Sequence, residues 1–332
     1  MGHAAVPTVR PGAPAASEAE RRRTRRRVRL RRRGLILLLL SPWLIGFAAF
    51  YVYPMLASLY YSFTRFDGIS PPQWAGTFNY RFMFTKDPLF WKSMYNTAWM
   101  IVLGVPLRIM FAIATAIILT RPRWGIRVHR TFFYLPAMVP PVAATLGFVY
   151  MFNPTGPINQ LLGLLHLPQP LWFYDPAWSK PALLMLGLWG IGDAMIIFLA
   201  GLLNVPLQLY EAADIEGANA LEKFRYVTLP MISPVIFFSV VIGVISGFQY
   251  FTQGYVASSV ASGANEASTQ ALGAPQNSLL FYPIWLFEQG FRAFHMGYAS
   301  AMAWVLFLIV MACTIVLIRT SNRWVYYQGG FR

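Results

Sequence analysis

Residues 211–234, EAADIEGANALEKFRYVTLPMISP, form a polar segment between two long apolar runs of the chain. Pro206 lies just before this segment, at a place where a helix can begin. Glu211 in the first turn of that helix would complement the helix dipole, and the two alanines that follow are strong helix formers with little bulk. Gly217 can adopt the left-handed backbone conformation that ends a helix. The pattern predicts a short helix that ends in a turn.

A second short helix is predicted from Ala218 to Tyr226, and Pro230 and Pro234 are expected to stop it and redirect the chain. The segment 206–232 is therefore predicted to be a helical hairpin. Its narrow alanine face would suit entry into a groove on another protein. The alternative interpretation is an ordinary amphipathic hairpin that lies on a membrane surface.

The composition excludes most classes of soluble protein. Only 12% of the 332 residues are charged, whereas soluble domains carry about a quarter, and 57% are hydrophobic. Together with long uninterrupted apolar runs, this composition indicates a polytopic membrane protein. The one cysteine, Cys313, lies inside an apolar run, which excludes a disulfide framework.

Six apolar segments are long enough to cross a bilayer as helices, at about 20 residues each. They lie near 36–62, 96–119, 132–152, 182–203, 233–253 and 297–318. The third contains Pro136, Pro140 and Pro141, so its start is expected to be kinked or broken. The predicted fold class is an all-α polytopic membrane protein with six transmembrane helices.

Basic residues predict the orientation, because cytoplasmic loops are enriched in Lys and Arg. With the N-terminus in the cytoplasm, 20 basic residues fall on the inner side and 6 on the outer side. An even number of spans then places both termini and the segment 206–232 in the cytoplasm. The predicted organisation is a disordered, arginine-rich tail (1–34), a six-span domain (35–325) and a cytoplasmic C-terminal tail (326–332).

The N-terminal tail carries eleven arginines within residues 1–33. We interpret them as a topology determinant that also contacts anionic membrane lipids. Binding of nucleic acid is disfavoured, because no aromatic interleaving or folded basic face accompanies the run. A regulatory or partner-binding role is the third interpretation.

The polar segment resembles the EAA loop of permease subunits of binding-protein-dependent ABC importers. The residues that correspond to the ATPase-coupling positions of that loop are Glu211, Ala212, Ala213, Glu216, Gly217, Ala218, Leu229 and Pro230. The resemblance implies an ABC importer permease fold in the inner (cytoplasmic) membrane, with the loop docked in a cleft of a separate ATPase. It also implies three kinds of protein partner: a second permease chain (a copy or a different chain), two ATPase subunits that hold ATP and Mg²⁺, and an extracytoplasmic solute-binding protein.

Other motifs are similar to the carbohydrate-type branch of this family, which includes the membrane subunits of the maltose transporter. The similarity covers about residues 40–325, and its motifs are Tyr53-Pro54, Ser62-Phe63-Thr64, Asn79-Tyr80, Trp91 with Asn96-Thr97, Phe148 to Leu161, Leu199 to Leu202, and Gly297 with Ala299 to Ala301. It implies uptake of a sugar or oligosaccharide by alternating access. A polyol, a glycerol-phosphate or a peptide is the alternative solute.

The chain departs from the family pattern in two regions. Glu216 stands where the family usually has Asp before its Gly, but the charge is kept. The outer loop near 273–278 is similar to a Gly-Gly-Pro-x-Asn-Ser-Thr pattern of the family, but Ala274 and Leu279 replace two residues of that pattern. The loop is also lengthened over 258–270. This loop faces the side on which a solute-binding protein would dock.

Charged residues inside predicted spans are candidates for contact with the solute. Arg108 and Asp193 are such residues, and Trp189 precedes Asp193 by four positions, so that both would share a helix face. Polar residues at helical spacing on the predicted fifth span are Ser246, Gln249 and Gln253. The alternative is that Arg108 and Asp193 form a structural pair or extend toward an interface, and that Trp189 serves packing.

A catalytic or metal site is not expected. The histidines are scattered, at His3, His129, His166 and His295, and no phosphate-binding Gly-x4-Gly-Lys-Ser/Thr loop is present. ATP hydrolysis would therefore come from a partner, and this chain is predicted to bind no cofactor. A polytopic enzyme that acts on lipid-linked sugars is the alternative from another functional class, and it would need clustered acidic or histidine residues at one membrane face.

Overall fold

A computed structural model describes residues 35–121, 124–263 and 273–326. The predictions for the N-terminal tail, for all but the first residue of the C-terminal tail and for most of the lengthened outer loop lie outside these residues. The chain divides into two compact units, one that ends at Ser58 and one that begins at Leu59.

The first membrane helix, α1 (Leu35–Ser62), contains a π-helical turn at Ala48–Val52. In the first unit its apolar side chains are exposed, and Trp43, Phe47 and Tyr51 stack along it with ring centroids 5.3 and 5.8 Å apart. An apolar surface of this kind is suited to contact with lipid.

The described part of the second unit is helical apart from one short antiparallel hairpin. In that hairpin β1 (Thr64–Arg65) pairs with β2 (Gln73–Trp74), and Thr64 lies opposite Trp74. The helices are α2 (Phe78–Thr85), α3 (Pro88–Thr120), α4 (Ile126–Tyr134, continued as a 3₁₀ turn to Met138), α5 (Pro141–Met151), α6 (Pro157–Leu164), α7 (Pro176–Trp189), α8 (Gly192–Leu203), α9 (Leu207–Ile215), α10 (Ala220–Met231), α11 (Ser233–Phe248), α12 (Thr252–Ala261), α13 (Tyr282–Phe287, continued as a π-helical turn to Arg292) and α14 (Met296–Ser321).

Three of the six predicted membrane segments lie in continuous helices that are apolar and long enough to cross a bilayer, and the other three count as spans if each bent pair of helices is taken as one span. Three of these spans are continuous, namely α1, α3 and α14. The other three are bent pairs: α4 with α5 at 97°, α7 with α8 at 50°, and α10 with α11 at 65°. The predicted all-α polytopic membrane fold is confirmed.

The bends in the third and fourth spans have local causes. Pro136, Pro140 and Pro141 interrupt the third span between α4 and α5, so the predicted broken start is confirmed. In the fourth span, Gly190 caps α7 and Gly192 opens α8. Two glycines so close together weaken a helix, because each lacks the side chain that restricts the backbone.

Gly192 also permits close packing of α8 on the third span. A Cβ atom on this residue would lie 2.7 Å from the carbonyl oxygen of Phe133 and 2.8 Å from Cα of Tyr134. Because both are backbone atoms, Gly192→Ala is expected to lower the free energy of unfolding by about 1–3 kcal/mol. Gly187→Ala on the same span is the control, since a Cβ there meets no atom within 4 Å. Thermal unfolding in detergent measures both, and equal stability of the two variants would contradict the prediction.

Several span boundaries differ from the predicted ones, because two aspartate–proline pairs begin helices earlier. Asp87 accepts hydrogen bonds from the backbone N–H groups of Leu89 (2.9 Å) and Phe90 (3.1 Å), so α3 begins at Pro88 rather than near residue 96. Asp175 caps α7 in the same way, so that the fourth span begins at Pro176 rather than near residue 182.

The fifth span packs closely on the second through glycines. Cβ atoms on Gly243 and Gly247 would lie 2.9 Å from the side chain of Val105 and 2.5 Å from that of Ile101. Glycines four residues apart on one helix face allow two membrane helices to approach at the backbone. This approach holds α11 against α3 and sets the position of the cavity between them.

The outer loop is anchored on the second and fourth spans. The side-chain amide of Asn96 donates to the carbonyl oxygens of Asn277 (2.8 Å) and Leu280 (2.9 Å). The hydroxyl groups of Ser179 and Ser278 share a hydrogen bond of 2.8 Å. Buried hydrogen bonds between distant parts of a chain lock a loop in one arrangement, and here they bring residues far apart in the sequence together.

Candidate functional site

The predicted helical hairpin is present and consists of α9, a turn and α10. Gly217 in the turn has a φ of +79°, the left-handed conformation predicted for it. Asn219 caps α10, because its side-chain oxygen accepts from the N–H groups of Leu221 and Glu222 at 3.0 Å each. The carboxylate of Glu222 in turn accepts from the N–H of Asn219 at 2.7 Å, which completes a capping box.

Two details of the predicted hairpin were wrong. The first helix begins at Leu207, directly after its N-cap residue Pro206, so Glu211 lies in the second turn rather than the first. The second helix begins at Ala220 rather than Ala218, because Asn219 is the better cap and leaves Ala218 in the turn.

The second helix also runs past its predicted end at Tyr226, through a π-helical turn at Phe224–Thr228, and stops at Met231. This end lies between Pro230 and Pro234, so the predicted stop and change of direction at these prolines are confirmed. Pro234 lies in the first turn of α11, where the missing N–H costs nothing. The chain bends by 65° between the end of α10 and the start of α11.

Side-chain contacts tie the two helices of the hairpin together and to the membrane domain. The hydroxyl groups of Tyr210 and Thr228 share a hydrogen bond of 2.9 Å, and Lys223 forms an ion pair with Asp214. Phe224 packs against a buried cluster that contains Leu119 and Leu202, at the ends of α3 and α8. The hairpin is therefore one preformed body that rests on the ends of two spans.

The tip of this hairpin is apolar on its outside. Ile215 is 88% exposed and Leu221 is 74% exposed, although the segment around them is polar. The predicted coupling residues are distributed as follows: Glu211, Ala212, Glu216, Gly217 and Leu229 are exposed, and Ala213, Ala218 and Pro230 are half-buried. Exposed apolar side chains beside a glutamate on a rigid hairpin are typical of a surface that docks on another protein.

A cavity of about 260 Å³ lies between the second, fourth and fifth spans. Arg108, Asp193 and Ser246 line it together, as do the glycines Gly104 and Gly243. Three of the predicted solute-contact residues are therefore brought to one place by α3, α8 and α11. Small residues in its wall leave room that larger side chains would fill.

Arg108 and Asp193 form an ion pair across this cavity. The Nη2 group of Arg108 donates to both carboxylate oxygens of Asp193, at 2.9 and 3.0 Å. The side chains are 44% and 61% exposed in the single chain, so the pair faces open space rather than the packed interior. Pairing lowers the cost of keeping two charges within a membrane domain, as the structural alternative predicted.

Trp189, Gln249 and Gln253 lie outside this cavity. Trp189 ends α7 before the bend, so it does not share a helix face with Asp193, and its ring packs 5.5 Å from that of Phe148. The fifth span ends at Phe248, so Gln249 follows the helix and Gln253 belongs to α12. The prediction of one helical face for Ser246 and the two glutamines was wrong.

Lys180 lies in the fourth span, before its predicted start near residue 182. Its ammonium group lies over the rings of Tyr95 (5.1 Å) and Trp99 (5.0 Å) and donates to Oδ1 of Asn96 at 3.1 Å. The signal that could have found it is the helix start at Asp175-Pro176, which makes Lys180 part of the span. Among the residues that the structure describes, no group of three His, Cys, Asp or Glu side chains could hold a metal ion.

Comparison with known proteins identifies the family. The family model for the inner membrane component of binding-protein-dependent transport systems matches residues 108–326. The chain belongs to this family. As a member of this family, it is a membrane-integral permease of an ABC importer, and a transport component rather than an enzyme. The predicted family is confirmed.

Similar proteins agree with this assignment. The probable ABC transporter permease protein YesP of Bacillus subtilis is 40% identical, over 87% of this chain and 91% of its own length. The arabinooligosaccharide transport permease AraP of Halalkalibacterium halodurans is 32% identical, over 89% and 87% of the two chains. A chain of a bacterial ABC transporter that imports the acidic polysaccharide alginate shares the fold, with a TM-score of 0.74 at 21% identity over 90% of this chain and 99% of that one.

Proposed function

We propose that this permease moves a sugar or oligosaccharide, and that its hairpin, residues 206–232, transmits the closure of a partner ATPase to the membrane helices. The observation that carries the proposal is the preformed hairpin with Ile215 and Leu221 exposed at its tip. Ties between α9 and α10, and the seat of Phe224 on the ends of α3 and α8, give the hairpin the stiffness of a lever. A rigid element that contacts both the ATPase and the membrane helices can convert movement of the ATPase into movement of the helices.

The proposed assembly contains this chain, a second permease chain, two ATPase subunits that bind ATP and Mg²⁺, and an extracytoplasmic solute-binding protein. Both termini and the hairpin face the cytoplasm, and the protein resides in the inner membrane. The excess of arginine and lysine on the hairpin side supports this orientation. The chain itself binds no nucleotide, and the arginine-rich tail contacts anionic lipid.

The proposed solute class rests on similarity and on the cavity. AraP is named for arabinooligosaccharide transport, and it aligns over most of this chain. In the cavity, the paired Arg108 and Asp193 and the hydroxyl of Ser246 present donors and acceptors beside apolar walls, a combination that suits a sugar ring with its hydroxyl groups. We place the solute path of this subunit along these three residues. The alternative solute is a polyol, a glycerol-phosphate or a peptide. Binding assays on the proposed solute-binding protein distinguish these classes from a sugar.

A pull-down experiment tests the coupling proposal. The tagged protein is purified from its native membranes in mild detergent, and co-purifying proteins are identified by mass spectrometry. We expect wild type to retain an ATPase with a phosphate-binding loop, and Glu211→Lys to lose it, because the reversed charge lies on the exposed face of α9 beside Ile215.

The control for the pull-down is Arg81→Glu, a charge reversal on the exposed side of α2 at the other end of the second unit. It should retain the ATPase. Retention of the ATPase by Glu211→Lys, or its absence from intact wild-type protein, would contradict the proposed role of the hairpin.

A further inference from the structure

A second and larger cavity, of about 790 Å³, lies at the end of the second unit opposite the hairpin. It is enclosed by the β1–β2 hairpin, the start of α3, the end of α13 and the start of α14. The helix α3 begins beside it at Pro88, whereas the other end of α3, at Leu119, packs with the hairpin residue Phe224. The transport mechanism proposed above makes no use of this cavity.

Three membrane helices end at this cavity. Thr64 follows the end of α1 by two residues, Pro88 is the first residue of α3, and Tyr298 lies in the first turn of α14. Each of these residues lines the cavity. The helices α1, α3 and α14 have 28, 33 and 26 residues, and about 20 are enough to cross the hydrocarbon, so their ends lie outside it and we place the cavity at the level of the lipid headgroups. Exposed aromatic residues around it, Trp74 and Phe78, are typical of that interface.

Two cationic side chains line the cavity without a carboxylate partner. The guanidinium of Arg65 stacks over the ring of Phe78 at 4.8 Å. Lys86 lies nearby in the wall. Within residues 35–121, 124–263 and 273–326, the three ion pairs involve other residues, so neither cation is neutralised there. A cation at a water-exposed membrane boundary attracts a negatively charged group.

The two carboxylates of the cavity wall are already occupied by other donors. Asp87 accepts the two N–H groups at the start of α3, the indole N–H of Trp285 at 2.8 Å and the hydroxyl of Tyr298 at 2.5 Å. Asp67 accepts the backbone N–H groups of Ile69 and Ser70 and the hydroxyl of Ser70. These bonds, led by that from Ile69, hold the pKa of Asp67 below its ordinary value. Both carboxylates keep their negative charge, but their oxygens already accept these bonds, so the charged N–H groups left to bind a further anion are those of Arg65 and Lys86.

We propose that this cavity binds the phosphate of an anionic phospholipid from the outer leaflet. Arg65 and Lys86 hold the phosphate oxygens, and the aromatic side chains of Phe78, Phe82 and Phe294 contact the glycerol and the first carbons of the acyl chains. The occupant is a lipid because a lipid phosphate lies at this depth of the membrane and because aromatic side chains stand beside the two cations in the wall. A free phosphate ester or a saccharide is an alternative occupant that the experiment distinguishes.

The experiment uses the intact transporter complex in neutral detergent, titrated with dioctanoyl phosphatidylglycerol and observed by native mass spectrometry. Dioctanoyl glycerol, which lacks the phosphate, glycerol 3-phosphate, which lacks the chains, and maltotriose are titrated in parallel. The test variant is Arg65→Gln with Lys86→Gln. The matched control is Arg81→Gln with Lys92→Gln, which removes two exposed cations of the same end of the chain that do not line the cavity.

We expect the test variant to bind phosphatidylglycerol about 25-fold more weakly, since each basic side chain near a membrane surface contributes about fivefold. The control variant should bind like wild type, and higher salt should weaken wild-type binding. Each single substitution is also measured, so that the result does not depend on the double variant being well folded. Equal binding by the test and control variants would overturn the proposal, as would equal binding of dioctanoyl glycerol. Tighter binding of glycerol 3-phosphate or maltotriose would assign the cavity to a soluble ligand and equally overturn it.

Discussion

Gly217→Val is expected to abolish ATP-dependent solute uptake while the protein still inserts in the membrane. Gly217 has a φ of +79°, and a Cβ atom there meets no atom within 4 Å. The effect is therefore one of backbone strain, which costs about 1–3 kcal/mol for a branched side chain in the left-handed region. The turn relieves that strain by changing its conformation, and this change would move the apolar tip of the hairpin away from the proposed ATPase partner. Uptake by reconstituted transporter, with ATPase activity measured in parallel, tests the prediction.

Two control variants separate strain at the hairpin from strain in general. Gly217→Asn should retain uptake, because asparagine tolerates the left-handed conformation. Gly76→Val introduces the same strain at the opposite end of the second unit, where φ is +57° and a Cβ also meets no atom within 4 Å. It should leave uptake close to that of wild type. Normal uptake by Gly217→Val would show that the shape of this turn is not needed for coupling.

Asp193→Ala is expected to lower both uptake and stability, because it leaves the charge of Arg108 unpaired within the membrane domain. An unpaired charge at the centre of a membrane helix costs about 2.5–3.5 kcal/mol, but both side chains face the open cavity, so the loss in free energy of unfolding should be well below that value. Arg108→Ala leaves the carboxylate of Asp193 unpaired and should have a similar effect. Thermal unfolding in detergent and uptake in proteoliposomes measure the two consequences separately.

Exchange of the two charges, Arg108→Asp with Asp193→Arg, should restore stability but not uptake. An ion pair can form again between the same two positions, but the donor and acceptor that face the cavity have changed places. Lys92→Ala, which removes an exposed charge from the same helix α3, is the control and should change neither quantity. Full recovery of uptake in the exchanged variant would mean that the pair is only structural and does not contact the solute. If the exchanged variant lost as much stability as the two single alanine variants together, the pairing itself would be ruled out.

Features that depend on neighbouring residues were predictable from the sequence. The six membrane segments follow from the length and apolarity of local runs, and each was found in a helix. The left-handed turn at Gly217 and the broken third span at Pro136 and Pro140 follow from the backbone restrictions of single residue types. The caps at Asp87 and Asp175 were equally local, and attention to the aspartate–proline pairs would have placed both helix starts.

Features that depend on distant residues were decided only by the tertiary structure. The contact between Arg108 and Asp193 joins residues 85 positions apart, and periodicity along either helix does not specify which face meets which. The close approach of Gly192 to the backbone of the third span joins distant residues, and the bend beside it removed Trp189 from the face of Asp193. The membrane segments were determined by the sequence alone because burial in lipid acts on each segment by itself. The cavities and the paired charges arise from packing between segments, whose geometry exists only once the helices have met.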